Sequence, residues 1–483
     1  MTIQFGTDGW RAVIAETFTF ENLRLLAQGI ADAVQAGDWG GGIHGDDFDP
    51  KLMVVGFDTR FLSDRFATEV ARVLAANGLT VLLTHADAPT PAVSYAVKHH
   101  HAAGGVMITA SHNAPRYNGV KLKAAYGGSA LNEQCQRVEM FLDDNEQRAR
   151  GPNLMDYDKA VSAGLIKRFN PMTAYSDHLR TLVNFDRIAH HPQRLVVDSM
   201  YGSGHGAIKG LLQGTGCEVF EIRNEMNPGF GGIHPEPIAK YLGATTGAIA
   251  AGHGSFAVIT DGDADRTGAM DGRGQFVDPH KIMALTLKYL VETRGWSGAV
   301  VKTVSTTRMI NRLAAKHHLP CYETPVGFNH IADYMLAEDV LIGGEESGGI
   351  SIRGHIPEGD GVLFGLLLLE IVAASGTTLD ELVNDLLREV GPAFYARKDL
   401  RLARPVAKKE MARRLLESAP AAIDGLPVAN VESLDGVKYV MADDSWLLIR
   451  PSGTEPVLRV YAEGREEKIV TALLGFGQKL AEA

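Results

Sequence analysis

Cysteine is scarce: Cys135, Cys217 and Cys321 are the three in 483 residues, far apart and in no C-x-x-C pairing. That excludes a disulfide framework or a thiolate zinc site and suits a reducing compartment, with all three read as buried structural thiols. Basic charge is in deficit, 47 Lys+Arg against 58 Asp+Glu for a net charge of -11, which argues against a general binder of nucleic acid or of anionic membrane. An anionic ligand must then be held by local basic groups or backbone amides. Long apolar runs are missing too: the longest, Val362 to Leu369, is too short to span a bilayer and is followed by Glu370. The opening MTIQFGTDGWRA has no basic stretch leading into an apolar one, so no secretion signal is read there and the expectation is a cytoplasmic chain.

What is present is a repeated α/β grammar. At 483 residues the chain holds three or four domains of roughly 100–200 residues each. Phe20 to Val34 reads as an amphipathic helix, followed by a Gly/Asp loop, GDWGGGIHGDDFDP. LMVVGFD is a strand, SDRFATEVARVLAANG a helix with an N-cap serine, and LTVLLTHADAPTP the next strand. His99, His100 and His101 point in different directions on a helix, so they read as a solvated helix end rather than a metal site. GSGHG at 202–206 lacks the spacing of a nucleotide fingerprint and reads as a tight strand-to-helix turn.

Three segments share one pattern, an apolar strand followed by a short polar loop: GVMITASHN, FAVITDGDADR and VLIGGEESGG. Related α/β units are therefore expected over 1–165, 166–275 and 276–389, with their loops converging on one cleft. From 390 to 483 the pattern changes. KYVMADDSWLLIRPSGTEPVLRVYAEG reads as two strands joined by a polar loop, then a helix, in a smaller α+β lid.

The loops carry chemistry. A serine hydroxyl is a poor nucleophile without a base or cation nearby, and Ser111 has His112 beside it and Lys121 ten residues on. Asp261, Asp263 and Asp265 repel one another unless a cation sits among them, and an all-oxygen ligand set suits a hard metal such as Mg²⁺. An EF-hand needs glycine sixth and glutamate twelfth, where this chain has Arg266 and Gly272; a solvated turn stays open as the alternative. Arg266 suggests bidentate capture of phosphate. Glu345 and Ser347 present an acceptor and a hydroxyl suited to sugar hydroxyls, although a plain glycine-rich turn fits the same spacing. Arg450, Ser452, Gly453 and Thr454 form an anion nest, with Arg459 on the next strand as a second clamp, or else a β-turn.

GTDGWRA, TASHNAPRYNGVK, TDGDADR, GGEESGG and RPSGTEP, in this order, resemble the signature loops of the α-D-phosphohexomutase family, most of all its phosphoglucomutase and phosphomannomutase members. The resemblance extends over nearly the whole chain. It implies three domains of shared α/β topology around a central cleft and a fourth that closes over substrate. It further implies that Ser111 is carried as phosphoserine and that Asp261, Asp263 and Asp265 hold Mg²⁺ together with that phosphate. Arg11, Arg266 and Lys121 would lie near the transferring group, Glu345 and Ser347 on the sugar, and the RPSGT loop on the remote phosphate. Two positions depart from the family pattern: Ala114 stands where SHNP has proline, and Asn329 where lysine often follows the TPVGF segment.

The activity so implied is interconversion of glucose 1-phosphate and glucose 6-phosphate through a phosphoserine enzyme and a bisphosphorylated sugar. A phosphomannomutase or dual-specificity mutase is the nearest alternative. The glucosamine branch usually has glutamine after the first glutamate of GGEESGG. A phosphoserine-dependent phosphatase has little use for a second phosphate loop. The expected partners are hexose phosphates and hexose bisphosphate, not nucleic acid or membrane.

Overall fold

The computed structural model describes residues 3–6, 8–37, 39, 48–401, 407–451 and 457–482. The first sheet is built from β1 (Trp10–Val13), β2 (Asp49–Phe57), β3 (Thr80–Thr84), β4 (Ala102–Ile108), β5 (Tyr117–Ala124) and β6 (Ile166–Phe169), in the order β1-β5-β4-β2-β3-β6. The second joins β7 (Arg194–Asp198), β8 (Glu218–Ile222), β9 (Phe256–Thr260), β10 (Thr267–Met270) and β11 (Phe276–Val277) as β11-β10-β9-β7-β8. The third joins β12 (Ala299–Thr303), β13 (Cys321–Thr324), β14 (Val340–Gly344) and β15 (Ile350–Ile352) as β13-β12-β14-β15.

One plan runs through all three. A central strand (β2, β7, β12) is flanked by two parallel neighbours, and the later neighbour (β4, β9, β14) folds back antiparallel into β5, β10 or β15. The polar loops at 109–116, 261–266 and 345–349 are the three fold-back connections. Strands β4, β9 and β14 are buried throughout, which explains their unbroken apolar runs. The fourth sheet is wholly antiparallel, β16-β21-β20-β19-β18-β17, from β16 (Phe394–Arg401), β17 (Ala422–Ile423), β18 (Leu426–Glu432), β19 (Val437–Met441), β20 (Trp446–Pro451) and β21 (Val457–Gly464). The segment 437–464 thus holds three strands where two were expected, because Ser445 closes a tight turn between β19 and β20 through its bond to Asp443.

Other expectations shift at the edges. Strand β6 pairs in parallel with β3, and β11 pairs antiparallel with β10, so the first two sheets each reach a few residues past 165 and 275. Ser63 is the first residue of the helix Ser63–Ala76 rather than its cap; Leu62 precedes it at φ 61°, and the Ser63 hydroxyl donates to Asp58. The three cysteines are half-buried, not fully buried, and burial pushes the Cys135 thiol up to about 12. His99 to His101 are exposed at the end of the helix Thr90–His99. The greater part of the Gly/Asp loop after Ala36 lies outside the described residues.

The apolar run Val362–Leu369 forms the core helix Gly361–Ser375, capped by the Asp360 carboxylate at the Leu363 N–H and ended by Gly376 at φ 65°. It is buried on nearly every side and joins the second and third units into one continuous core, with Leu195 and Val258 from one and Val300 and Ile342 from the other. The first unit and the C-terminal domain have cores of their own. Among the described residues no single helix is long and apolar enough to cross a membrane.

Candidate active site

Ser111, third in the loop after β4, has φ 50°, a left-handed backbone that costs a non-glycine residue about 1–3 kcal/mol and persists only where its surroundings impose it. Its N–H donates to Thr109 Oγ1 (2.8 Å) and its carbonyl accepts from Arg60 Nη2 (2.6 Å). Arg60, at the C-terminal end of β2, fastens the whole loop: it also donates to the carbonyls of Asn113, Ala114 and Tyr117. The Phe230 ring of the second unit lies 4.9 Å from its guanidinium, and Asp58 pairs with its Nε at 3.2 Å. Burial pushes the Asp58 carboxyl up to about 6 against the pull of Arg60. Sequence reading missed Arg60; the one signal was a charged Asp-Thr-Arg run closing a buried strand.

The nucleophile loop and the acidic loop are in direct contact. Ser111 Oγ donates to Asp261 Oδ2 (2.9 Å) and lies 3.2 Å from His112 Nδ1. A Cβ on Gly262 would stand 2.5 Å from the Ser111 carbonyl oxygen, so only glycine allows this approach. The glycine-rich turn at 202–206 props the same loop from behind, Ser203 N–H donating to the Gly262 carbonyl at 3.0 Å. Lys121 on β5 reaches Asp263 (3.0 Å), Asp265 (2.5 Å) and Asp8 (2.9 Å). Arg11 donates to Asn113 Oδ1 (2.9 Å) and Asp8 Oδ2 (3.0 Å). Thr90 fixes Asp263 twice, through its hydroxyl and its N–H. Arg266 N–H donates to Asp261 Oδ1 at 3.1 Å.

The electrostatics follow from crowding. Burial, then the charges of Asp265 and Asp263, push Asp261 well above the carboxylate range. Burial and Asp263 bring Asp265 up to about 6, whereas at Asp263 the opposing effects of Lys121 and Thr90 outweigh burial and leave it at about 2. Burial, reinforced by the charges of Arg266 and Arg11, holds His112 well below the imidazole range. Ligand oxygens of the three aspartates lie within 4.8 Å of one another, and Oδ1 of both Asp263 and Asp265 is buried without a hydrogen-bond donor. That donor set fits a hard divalent cation. A second cluster, Glu292, His317 and Glu389, lies at the surface and is already paired with Lys288 and Lys316.

The third loop abuts the second. Thr267 N–H donates to the Gly348 carbonyl (3.2 Å). Glu345 accepts from Gly327 N–H (2.9 Å) and faces Ser347 Oγ at 3.4 Å, while Glu346 turns inward to Ser305 Oγ (2.6 Å). Burial, then the charge of Glu346, pushes the Glu345 carboxyl up to about 7. In the C-terminal domain Arg450 and Arg459 face each other across β20 and β21. Arg450 pairs with Asp435, which also accepts from Val326 N–H (3.2 Å) beside the third loop, and Arg459 Nε is buried without an acceptor. Ser452, Gly453 and Thr454 lie outside the described residues. Contacts thus join Ser111, His112, Lys121, Arg11, Arg266 and the aspartates directly, whereas Arg450 and Arg459 stand on the docked C-terminal domain.

Three repeated α/β/α units and a C-terminal domain, with a serine loop set against an acidic loop, define a multidomain phosphotransferase architecture. Residues 2–149, 173–274 and 278–390 match domains I, II and III (alpha/beta/alpha) of phosphoglucomutase/phosphomannomutase, and 403–475 match its C-terminal domain. A phosphoglucomutase/phosphomannomutase of Thermococcus kodakarensis is 29% identical, covering 99% of this chain and 98% of its own. A phosphoglucosamine mutase of Limosilactobacillus reuteri is 30% identical, covering 96% and 95%. A solved structure from Thermus Thermophilus, assigned to the phosphomannomutases, superposes with a TM-score of 0.85 at 36% identity, covering 100% of both chains. An Aspergillus fumigatus N-acetylphosphoglucosamine mutase, solved with GlcNAc-6P and magnesium, shares the fold with a TM-score of 0.61 at 16% identity, covering 100% of this chain and 96% of its own. The chain belongs to the phosphoglucomutase/phosphomannomutase family, whose members are isomerase-type phosphotransferases acting as phosphohexomutases.

Proposed function

We propose that this phosphohexomutase moves a phosphoryl group between O1 and O6 of an aldohexose, with glucose phosphates as the preferred pair. The observation that carries it is the 2.9 Å bond from Ser111 Oγ to Asp261 Oδ2, which sets a strained, buried hydroxyl against three crowded carboxylates. Asp261, Asp263 and Asp265, with the Ser111 phosphate, would hold Mg²⁺, which neutralises charge on the transferring group when bound. A magnesium-bound relative of the same fold supports that choice of ion.

In the reaction, the bond from phosphorus to Ser111 Oγ breaks as the bond to the free sugar hydroxyl forms. The hydroxyl proton passes to the neutral imidazole of His112, within 3.2 Å of Ser111 Oγ, while the Lys121 ammonium, paired with Asp8, Asp263 and Asp265, offsets the charge that develops on the transferring group. The bisphosphorylated sugar turns over and its other phosphoryl returns to Ser111, releasing the isomeric monophosphate. Arg266 and Arg11 offset charge at the reacting end. Glu345 and Ser347 accept the ring in either direction, and Arg450, Ser452, Gly453, Thr454 and Arg459 hold the remote phosphate. The glucose preference is supported by resemblance alone: in GGEESGG the chain looks more like phosphoglucomutases than the glucosamine branch, which usually has glutamine after the first glutamate.

The test compares turnover of glucose 1-phosphate, mannose 1-phosphate and glucosamine 1-phosphate with Mg²⁺ and a trace of glucose 1,6-bisphosphate. Formation of glucose 6-phosphate with the highest kcat/KM supports the reading. Release of inorganic phosphate without the 6-phosphate isomer refutes mutase chemistry, and a higher kcat/KM for either other sugar refutes the glucose preference.

A further inference from the structure

The turn from His355 to Gly361 leaves β15 and enters the core helix, and on the way it touches all three α/β units. Glu358, 3% exposed, accepts from Lys123 Nζ and from Ser94 Oγ (3.0 Å), both in the first unit. Asp360, fully buried, accepts from the Tyr175 hydroxyl at 2.8 Å and lies 2.9 Å from His355 Nε2, while His355 Nδ1 lies 3.0 Å from His178 Nε2. Tyr175 and His178 belong to the helix Met172–Leu182, which precedes the second sheet. Gly361 N–H donates to the Ala264 carbonyl (2.9 Å) in the middle of the acidic loop, and a Cβ on Gly361 would stand 2.2 Å from the Arg266 carbonyl oxygen.

Register gives this clasp its target. Lys121 and Lys123 are two apart on β5, so both side chains leave the same face of the sheet. Glu358 holds Lys123 while Lys121, one pleat away, lies among Asp8, Asp263 and Asp265. A buried ion pair adds little net stability over an apolar pair of the same volume, but it fixes direction, and its loss leaves a charge uncompensated. Displacement of a reacting group by about 1 Å costs about 100-fold in rate.

We propose that Glu358 and Asp360 are positioning residues for phosphoryl transfer. Glu358 sets Lys121 through Lys123 and β5; Asp360 sets the Asp261–Asp265 loop through Gly361 and Ala264. The proposal rests on the reading of that loop and Ser111 as the transfer site.

The experiment uses the full chain with Glu358→Gln, Asp360→Asn, Glu358→Asp, and the paired change Lys123→Met with Glu358→Met. Glu358→Gln is expected to lower kcat about 10- to 100-fold with KM changed less than about twofold. Glu358→Asp is expected to recover part of that loss, and the Met pair to melt near the wild-type temperature while kcat stays low. Asp360→Asn is expected to weaken Mn²⁺ binding, read by electron paramagnetic resonance without turnover, about 10-fold. Wild-type kcat in Glu358→Gln, or kcat restored in the Met pair, overturns the role of Glu358. Unchanged Mn²⁺ affinity in a folded Asp360→Asn overturns that of Asp360. If Glu358→Gln does not fold, the Met pair decides; if wild type turns over no hexose phosphate, the functional reading fails while the Mn²⁺ comparison still decides the Asp360 arm.

Discussion

Ser111 and Asp261, 150 positions apart, meet through one hydrogen bond of 2.9 Å, and across it two structural units become one site. The bond exists because Gly262 lets the two loop backbones touch and Arg60 holds the serine loop in its left-handed turn. Ser111→Ala removes the hydroxyl and little else. Turnover is expected to fall by at least about 1000-fold, the scale of removing a nucleophile, while the circular dichroism spectrum is unchanged. Incubation with the bisphosphate should add a phosphoryl group to wild type and none to the variant, read by intact-protein mass spectrometry.

Arg60 predicts a loss that charge alone does not explain. Its fork reaches four carbonyls of the loop over Phe230, and a lysine ammonium cannot copy that planar geometry. Arg60→Lys is expected to keep the positive charge yet lower kcat about 10- to 100-fold. Arg60→Met, which also strands the buried Asp58, should cost about 3–5 kcal/mol of stability in urea unfolding. An Arg60→Lys variant with full kcat would show that the loop holds its shape without the fork.

The acidic loop makes metal dependence a prediction about affinity. Three carboxylates this close, two with unpartnered buried oxygens, leave the site short of positive charge. Chelation with EDTA should abolish turnover and added Mg²⁺ should restore it. Asp263→Asn should raise the Mg²⁺ concentration for half-maximal rate by about 10-fold or more. Asp263 has the sharpest expected effect because Thr90 orients it through two hydrogen bonds.

What the sequence made legible was whatever lies in one loop. Ser111 with His112, the Asp261–Asp265 alternation and the Glu345–Ser347 pair each follow a buried apolar strand, and strand-then-loop is a pattern a single segment can show. Arg60, Asp8 and Thr90 were not read as site residues. Each comes from a different strand end or helix start, and only the sheet order brings them to Ser111 or the aspartates. The merging of the second and third cores was hidden for a related reason. Apart from Glu370 and the terminal Ser375 the helix Gly361–Ser375 is apolar on every side, so its sequence has no periodicity to say which neighbours it serves. Strands β19 and β20 were read as one because only the four residues 442–445 separate them, too short a break for the pattern to show.

Glu345 ties the site to pH. Its carboxyl, pushed up to about 7 by burial and then by Glu346, stays protonated in the folded chain at pH values where the unfolded chain, near its ordinary 4.5, has released the proton. The folded state therefore binds more protons between about 4.5 and 7, and the stability Glu345 contributes falls as pH rises through that window. Binding runs the other way. A sugar hydroxyl donates best to an ionised carboxylate, so KM for the hexose phosphate should fall as pH rises through about 7. Substrate phosphate also titrates near neutrality, and Glu345→Gln separates the two effects because it keeps the substrate titration and removes the side chain's own. The ratio of KM between Glu345→Gln and wild type should rise with pH across 7, and a flat ratio would remove Glu345 from sugar recognition.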